Sequence, residues 1–290
     1  MPELPEVETI RRDLETRITG EKISRVQVKD PKAIKGSPDF VKKTTGRTVR
    51  GIDRKGKILI LELDGGSYVL IHLKMTGQLI YCHNREMIAG GHTFHRESLL
   101  EDVGGKLPNQ HTRVIFHFQS GDRLFFNDMR RFGYIKFASE REKENKIGEL
   151  GPEPLLREFD LPSFRKNLKN RKTAIKKVLL DQKLVAGIGN IYADESLFLS
   201  GIRPDRLAHE LKPEEVRVLH GNIKKVLKKG VKHRGTTFNN YVDSQGKQGG
   251  FSEFLQVYGR EGEKCPACGG PIKKIRLAGR GTHFCPHCQR

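Results

Sequence analysis

Apolar residues recur at helical spacing at the start of the chain. They are Val7, Ile10, Leu14 and Ile18. This spacing places them on one face and predicts an amphipathic helix. Pro5 suits the first turn, where a missing N–H costs nothing, and Gly20 suits the end of the helix. We therefore expect a packed helix to hold the N-terminus.

After this helix the pattern changes to that of β-strands. Short segments in which apolar residues alternate with polar ones, or follow one another, are separated by turn sequences. These segments cover residues 23–28, 47–52, 58–63, 68–73, 113–118, 123–126 and 134–138. The Gly-containing turns at 64–66 and 120–122 each predict a hairpin. Repeated short strands are typical of a β-sandwich or a barrel-like domain, which should end near residue 140.

Residues 83–110 interrupt the strand pattern. They contain paired glycines, Pro108 and three histidines, His83, His92 and His95. Such a segment predicts a surface loop. The spacing of the histidines matches no common set of metal ligands, so we do not expect a second metal site there.

Beyond residue 154 the periodicity is helical. Residues 148–154, rich in glycine and proline, are typical of a linker between domains. The predicted helices cover residues 164–168, 173–182, 191–200 and 213–229. The last has an apolar stripe opposite a run of lysines, which is either a solvated face or a set of phosphate contacts. The chain is therefore predicted to be an α+β protein with two domains, each with its own core.

The net charge narrows the choice of partners. Lysine and arginine total 54 against 35 aspartates and glutamates, a formal charge of +19. An excess of this size indicates a polyanionic partner, either a nucleic acid or an anionic membrane surface. No apolar run approaches the ~20 residues that span a bilayer, and no signal segment opens the chain. We expect a cytoplasmic protein.

Four of the five cysteines form one cluster near the C-terminus, made of Cys265, Cys268, Cys285 and Cys288. Two Cys-x-x-Cys pairs separated by sixteen residues fit four-thiolate zinc coordination. Four protein ligands leave no open position for a catalytic water, so the sequence predicts one structural zinc ion. Cys82 is left over, and we expect it to be a small buried apolar residue.

The segment between the two cysteine pairs predicts an antiparallel ribbon formed by residues 273–277 and 281–284. Arg280 lies at its tip between Gly279 and Gly281. Because these neighbours are small, the guanidinium is accessible and suits contact with a phosphate.

The residue after the initiator methionine is a proline. Removal of Met1 would make Pro2 a free secondary amine, and an α-amino group has a pKa of about 8, so part of it is unprotonated at neutral pH. Such an amine attacks an aldehyde carbon to give an iminium ion, and the adjacent Glu3 can give or take a proton. The alternative is that Pro2 and Pro5 only stiffen the terminus.

Two further motifs have both a structural and a functional interpretation. Residues 187–190, Gly-Ile-Gly-Asn, join two predicted helices and form either a plain tight turn or a place where backbone amides approach an anion. The second motif consists of Met75 and residues 130–133, Arg-Arg-Phe-Gly. Met75 is a core residue and 130–133 a surface turn, or the two together form a wedge that enters and unstacks a duplex.

These motifs together resemble those of the bacterial formamidopyrimidine-DNA glycosylase family along nearly the whole chain. The matching segments are Pro-Glu-Leu-Pro-Glu-Val-Glu at 2–8, Arg-Lys-Gly-Lys at 54–57, His-Leu-Lys-Met at 72–75, Asp-Met-Arg-Arg-Phe-Gly at 128–133, Gly-Pro-Glu-Pro-Leu at 151–155, Gly-Ile-Gly-Asn-Ile-Tyr at 187–192 and the cysteine cluster. Leu4 favours this purine-specific group over the related endonuclease-eight group, which usually begins Pro-Glu-Gly-Pro-Glu. The segment between Met75 and His111 is longer than is usual in the family.

The resemblance implies that the chain has three structural parts. They are an N-terminal catalytic β-sandwich domain with an N-terminal helix at 1–147, a helical helix–two-turn–helix domain at 148–255, and a β-hairpin zinc finger at 256–290. It also implies a bifunctional DNA glycosylase and AP lyase that removes oxidised purines, such as 8-oxoguanine and formamidopyrimidines, from double-stranded DNA. Such an enzyme forms a Schiff base and then nicks the strand by β,δ-elimination. We expect it to act as a monomer.

The resemblance assigns catalytic roles to four residues. Pro2 would be the nucleophile that attacks C1′ of the damaged nucleotide, and Glu3 would move protons during base release and ring opening. Lys57 would donate a proton in β-elimination. Arg280 would serve δ-elimination and bind phosphate.

The resemblance also assigns DNA contacts. They are His111, Arg130, Lys172, Asn190, Met75 and Phe132. Met75, Arg130 and Phe132 would fill the gap left by the flipped nucleotide. Residues 236–250 correspond to the loop that closes over the extruded base.

Two other functions are compatible with the sequence. One is an oxidised-pyrimidine glycosylase of the endonuclease-eight branch. The other is a non-catalytic zinc-ribbon protein, which would bind DNA in a salt-sensitive way but release no damaged base.

Overall fold

The chain folds into two compact units. In the computed structural model, which describes residues 1–36, 38–84, 86–91, 105–236 and 250–290, unit one consists of Met1–Gly148 with His233–Gly250. Unit two consists of Glu149–Lys232 with Phe251–Arg290. Within the described ranges, no helix has both the length and the apolar character that crossing a membrane requires.

Two antiparallel sheets build unit one. The strands are β1 (Ile23–Val28), β2 (Val49–Lys55), β3 (Ile58–Leu63), β4 (Ser67–His72), β5 (Gly77–His83), β6 (Glu86–Gly91), β7 (Thr112–Phe118), β8 (Arg123–Asp128) and β9 (Tyr134–Ser139). One sheet has the order β1-β7-β8-β5-β6 and the other β2-β3-β4-β9. Apolar side chains from both sheets form one buried core. The β-sandwich expected from the strand pattern is confirmed.

The N-terminal helix is also confirmed. Helix α1 (Leu4–Ile18) buries Val7, Ile10, Leu14 and Ile18 in the sandwich core. Two residues further on, Gly20 has a φ of +89°, in the left-handed region that favours glycine. The described part of unit one also contains the helices α2 (Phe40–Thr44) and α3 (Glu140–Gly148).

One part of the sequence prediction was wrong in unit one. Residues 86–91, which the glycine-rich composition assigned to a loop, form β6, an edge strand that pairs with β5. Strand β5 was missed because residues 77–82 are all buried, so no alternation marks them. Residues 92–104 of the predicted loop, with His92 and His95, lie outside the described residues.

Cys82 has the environment that the sequence suggested. It is buried with Ile80, Ile115 and Phe125 in a small apolar cluster. Burial raises the pKa of its thiol to about 11. Cys82 is therefore a packing residue with little thiolate character.

Unit two is helical, with a β-hairpin at its C-terminal end. Its helices are α4 (Leu161–Lys169), α5 (Ile175–Leu180), α6 (Asn190–Leu199) and α7 (Pro213–Lys232), and its strands are β10 (Lys273–Leu277) and β11 (Arg280–Phe284). The apolar stripe of α7 is buried as predicted. The finer division into domains at 148–255 and 256–290 stays a prediction.

Candidate active site

The predicted site residues fall into two sets, one in each unit. Unit one holds Pro2, Glu3, Lys57, Met75, His111, Arg130 and Phe132, and unit two holds Lys172, Asn190, Arg280 and the four clustered cysteines.

The N-terminal segment is held in place by a buried carboxylate. Pro2 and Glu3 are both buried, and Glu3 is the N-cap of α1. The Glu3 N–H donates to Oε2 of Glu6 over 2.8 Å, one half of a capping box. Glu6 is fully buried. The backbone next to Pro2 is therefore fixed, unlike that of a disordered chain terminus.

The same carboxylate holds a second segment of unit one. Its Oε1 accepts hydrogen bonds from the Thr236 N–H over 2.7 Å and from the Thr236 hydroxyl over 3.1 Å. Gly235 has a φ of +82°, and a Cβ there would lie 2.5 Å from Glu6 Oε1, so only glycine fits. About two helix turns after Glu6 on α1, Asp13 pairs with Arg234 at 2.7 Å. Sequence reasoning did not assign Glu6 to the site.

A second carboxylate ties α1 to strand β2. Glu8 accepts hydrogen bonds from Arg11, Arg12 and Arg54, the last over 3.0 Å. Burial opposes its ionisation, but the three guanidinium groups outweigh this and keep the pKa of Glu8 below its usual value. Glu8 is therefore a charged anchor that fixes the helix behind Pro2.

Lys57 belongs to a cluster of positive charges. It is 6% exposed and follows Gly56 in the turn between β2 and β3. Burial, reinforced by the charges of Lys74, Lys57, Lys146 and Lys35, lowers the pKa of His72 to about 3. Burial, followed by repulsion from Lys35 and Lys146, also lowers the pKa of Lys74. The four lysines around His72, which are Lys35, Lys57, Lys74 and Lys146, form the cation cluster, an environment that a polyanion would stabilise.

His72 has a defined tautomer in this cluster. Its Nδ1 accepts the Lys74 N–H over 3.0 Å, so the proton of the neutral ring lies on Nε2. With its pKa near 3, the ring stays neutral over the physiological range. His72 is thus a fixed hydrogen-bond donor, and sequence reasoning did not single it out.

The three predicted wedge residues differ in exposure. Met75 is half-buried, whereas Arg130 and Phe132 are exposed, with Phe132 51% accessible. The Arg130 guanidinium lies 4.7 Å from the centre of the Phe132 ring, within the range of a cation–π contact. An exposed aromatic ring beside a guanidinium suits a surface that inserts into a stack of bases.

A buried aspartate organises the backbone of the wedge. Asp128, 1% exposed, accepts the Thr76 hydroxyl and the Arg130 N–H on Oδ1, and the Gly133 N–H over 2.6 Å on Oδ2. Thr76 also accepts the Arg130 N–H over 3.0 Å. The side chain of Asp128 therefore joins the segment after β4 to the segment after β8.

His111 lies next to this network. Its N–H donates to Asn109 Oδ1 over 2.9 Å, and its carbonyl accepts the Asp128 N–H over 2.9 Å. The residue is half-exposed in the turn before β7. Its backbone thus supports the aspartate that fixes the wedge.

In unit two, Lys172 and Asn190 have different environments. Lys172 is exposed between α4 and α5. Asn190 is the first residue of α6, and its Nδ2 donates to the carbonyl of Gly281 over 2.9 Å. The structure therefore brings Asn190 to the neighbour of Arg280, which sequence spacing did not indicate.

Arg280 begins strand β11 and pairs with Leu277 across a two-residue turn. Ala278 and Gly279 form this turn with φ values of +50° and +72°, as a type I′ turn requires. Arg280 is exposed. The tip of the hairpin thus presents the guanidinium, as the glycine pattern predicted.

The four clustered cysteines fit a zinc ion. Their sulfur atoms all lie within 4.8 Å of one another, with Cys265 and Cys288 3.8 Å apart and Cys268 and Cys285 3.5 Å apart. Tetrahedral coordination with Zn–S bonds of about 2.3 Å requires sulfur separations of just under ~4 Å. Within the described ranges, no other group of three or more potential ligands could hold a metal. The zinc site is structural, because four thiolates fill the coordination sphere.

Comparison with known proteins identifies the family. Residues 1–135 match the formamidopyrimidine-DNA glycosylase N-terminal domain, residues 150–241 match the H2TH domain of the same enzyme, and residues 262–290 match a zinc finger found in FPG and IleRS. The chain belongs to the formamidopyrimidine-DNA glycosylase family. It is 43% identical to the family member of Desulforamulus reducens and 42% identical to that of Heliobacterium modesticaldum, in both cases over 100% of this chain and at least 99% of the relative.

Solved structures agree with this assignment. A Lactococcus lactis FPG mutant in complex with a Fapy-dG containing DNA has a TM-score of 0.85 and 37% identity, with both chains covered completely. Lactococcus lactis formamidopyrimidine-DNA glycosylase bound non-covalently to DNA with an AP site has a TM-score of 0.84 and 36% identity, with 99% of each chain covered. The family fold thus extends over this entire chain.

Proposed function

We propose that this chain is a base-excision repair enzyme that removes oxidised purines from double-stranded DNA through a Schiff base on Pro2 and then cuts the strand. The observation that carries the proposal is the anchored N-terminus. Pro2 and Glu3 are buried at the start of α1, and the Glu3 N–H is held by the buried carboxylate of Glu6. A nucleophile needs this kind of fixed backbone, because a small displacement of an attacking atom costs rate.

The chemistry follows from the amine. After Met1 is removed, the nitrogen of Pro2 bonds to C1′, the bond from C1′ to the damaged base breaks, and the base leaves with a proton. Glu3 supplies a proton as the sugar ring opens, which leaves an iminium ion between Pro2 and C1′. The iminium withdraws electrons and so acidifies the proton on C2′.

Strand cleavage uses the same intermediate. Loss of the C2′ proton expels the 3′ phosphate in β-elimination, for which Lys57 is the proposed proton donor. A second, δ-elimination then expels the 5′ phosphate, for which Arg280 is the proposed partner. Both leaving groups are phosphates, so cationic residues stabilise the charge that develops on them.

The wedge and the cation cluster suit the DNA that this reaction needs. A base must leave the stack before Pro2 can reach C1′, and unstacking costs a few kcal/mol. Met75, Arg130 and Phe132 are the proposed residues that fill the gap. The cation cluster, together with Lys172 and Asn190 in unit two, is proposed to bind the phosphate backbone. DNA association also suggests a cytoplasmic location on the nucleoid.

Borohydride trapping tests the proposal. Wild-type protein incubated with a duplex containing 8-oxoguanine is expected to form a covalent protein–DNA adduct on reduction, and protein whose Pro2 nitrogen is acylated by an N-terminal extension is expected to form much less. A non-catalytic zinc-ribbon protein would bind the duplex but give no adduct. Full trapping by the acylated protein would exclude Pro2 as the nucleophile.

Asp128→Asn tests the wedge. An amide cannot accept hydrogen bonds at both ends, so the 130–133 backbone loses one of its anchors and the three wedge side chains lose their alignment. We expect kcat/KM on lesion duplex to fall by about 10-fold or more, with much less effect on trapping with a single-stranded abasic substrate. Asp122→Asn is the matched control, since Asp122 is a buried carboxylate of unit one that binds Tyr81 and His83 instead. Equal losses in both variants on both substrates would show a general effect on folding.

A further inference from the structure

A fully buried ion pair lies inside unit two, outside the residues assigned to chemistry or DNA binding. Lys176 of α5 and Asp194 of α6 are both 0% exposed, and Lys176 Nζ lies 2.6 Å from Asp194 Oδ1. Removing two charges from water is expensive, and such a pair seldom adds net stability compared with apolar residues of similar size. Its contacts therefore need an explanation other than stability.

Both members of the pair bind the hairpin strand that begins with Arg280. Lys176 Nζ donates to the hydroxyl of Thr282 over 2.8 Å and to the carbonyl of Gly281 over 3.3 Å. Asp194 Oδ2 accepts the His283 N–H over 2.9 Å. Three consecutive residues after Arg280 are thus tied to two helices by one pair of side chains.

These hydrogen bonds act on the residues that directly follow Arg280. Arg280 is exposed at the tip, and strand pairing with Leu277 across the two-residue turn is its connection to β10. The zinc ligands Cys285 and Cys288 hold the other end of β11. The ion pair, together with Asn190, whose Nδ2 also donates to the Gly281 carbonyl, therefore fixes the half of the strand that the metal does not reach, next to Arg280.

We propose that Lys176 and Asp194 are positioning residues that aim Arg280 at the phosphate leaving in δ-elimination. The inference rests on the proposed function of Arg280. Lys176 and Asp194 act through the backbone of residues 281–283 and the hydroxyl of Thr282, without contact to DNA. Without them the Schiff base still forms on Pro2, but the second elimination becomes slow.

The test measures both eliminations on a duplex with a preformed abasic site. Thr282→Val removes the hydroxyl that Lys176 binds and keeps the side-chain shape. The double variant Lys176→Met, Asp194→Leu replaces the ion pair by apolar side chains of similar volume. Lys177→Met, an exposed neighbour on α5, is the matched control, and Arg280→Ala sets the largest expected effect.

The expected result is a change of product. The ratio of β,δ-product to β-product should fall by about 10-fold in the double variant and in the same direction in Thr282→Val, while the rate of borohydride trapping stays within about twofold of wild type. Lys177→Met should match wild type. An unchanged product ratio in Thr282→Val and in a zinc-loaded, folded double variant would overturn the proposal, and so would trapping that falls in parallel with the ratio. Should the double variant fail to fold, Thr282→Val alone decides. Absence of trapping by wild type would instead refute the function of Pro2.

Discussion

Joining an N-terminal extension to Pro2 is expected to lower strand cleavage by on the order of 1,000-fold or more, because the extension turns the nucleophile into an amide. An amide nitrogen is not basic and cannot form an iminium ion. The fold should tolerate the change, since Met1 is already accommodated next to the buried Pro2. Only the chemistry, and not the contacts of Glu3 or α1, should be lost.

The extended protein provides its own control. A protease that cuts directly before Pro2 regenerates the free amine in the same protein sample, and cleavage activity should return with the cut. DNA affinity, measured by fluorescence anisotropy, should stay within a few-fold before and after the cut. An extended protein that cleaves abasic DNA at the rate of the trimmed one would exclude Pro2 as the attacking group.

Loss of zinc is expected to have the second largest effect. The four thiolates close a hairpin that has little core of its own, and Cys265 and Cys285 pack with Phe198, Val257 and Ile272. Structural zinc contributes roughly 10–16 kcal/mol of apparent binding free energy in small zinc domains, so the hairpin should lose its structure without the metal. Arg280 would then lose its position, and δ-elimination and DNA affinity would fall together.

Cys268→Ser tests this with Cys82→Ala as the matched control, because both change one cysteine but only Cys268 belongs to the cluster. We expect Cys268→Ser to lose its bound zinc and its DNA affinity to fall by at least about 10-fold. Cys82→Ala should keep zinc and affinity, with a small loss of stability from the cavity it leaves. Full cleavage activity in a zinc-free protein would contradict a structural role for the metal.

Local pattern predicted much of the fold. The helix α1 and the stripe of α7 follow directly from periodicity, since each has one buried face, and strand β3 follows from its run of apolar residues. Strand β5 was missed because it has neither an alternating pattern nor a long apolar run: it is buried throughout residues 77–82 but begins with Gly77 and Gln78. Strand β6 was not predicted because its glycines are typical of loops.

The candidate site was predictable only in part. Cysteine spacing alone identified the zinc ligands, and the chemistry of a terminal amine suggested Pro2, but the roles of Lys57 and Asn190 came from family resemblance. The supporting contacts join residues far apart in sequence: Glu6 with Thr236, Thr76 with Asp128, and Lys176 with Thr282. No local pattern marks such pairs, because the fold alone brings them together.

These supporting contacts have one feature in common. Glu6, Asp128 and Asp194 are buried carboxylates, each of which accepts backbone N–H groups beside an exposed or reactive residue. A charged acceptor makes stronger hydrogen bonds than a neutral one, so it fixes a backbone well. The three carboxylates thus support the segments that carry the proposed nucleophile Pro2, the proposed wedge and Arg280.

Mass spectrometry of the borohydride-trapped complex tests the central claim most directly. Wild-type protein is reduced on a duplex with 8-oxoguanine, digested, and searched for the peptide that carries the sugar remnant. We predict a peptide that begins at Pro2, with Met1 absent and the remnant on the Pro2 nitrogen. A remnant on a lysine, or trapped protein that still begins with Met1, would contradict the account.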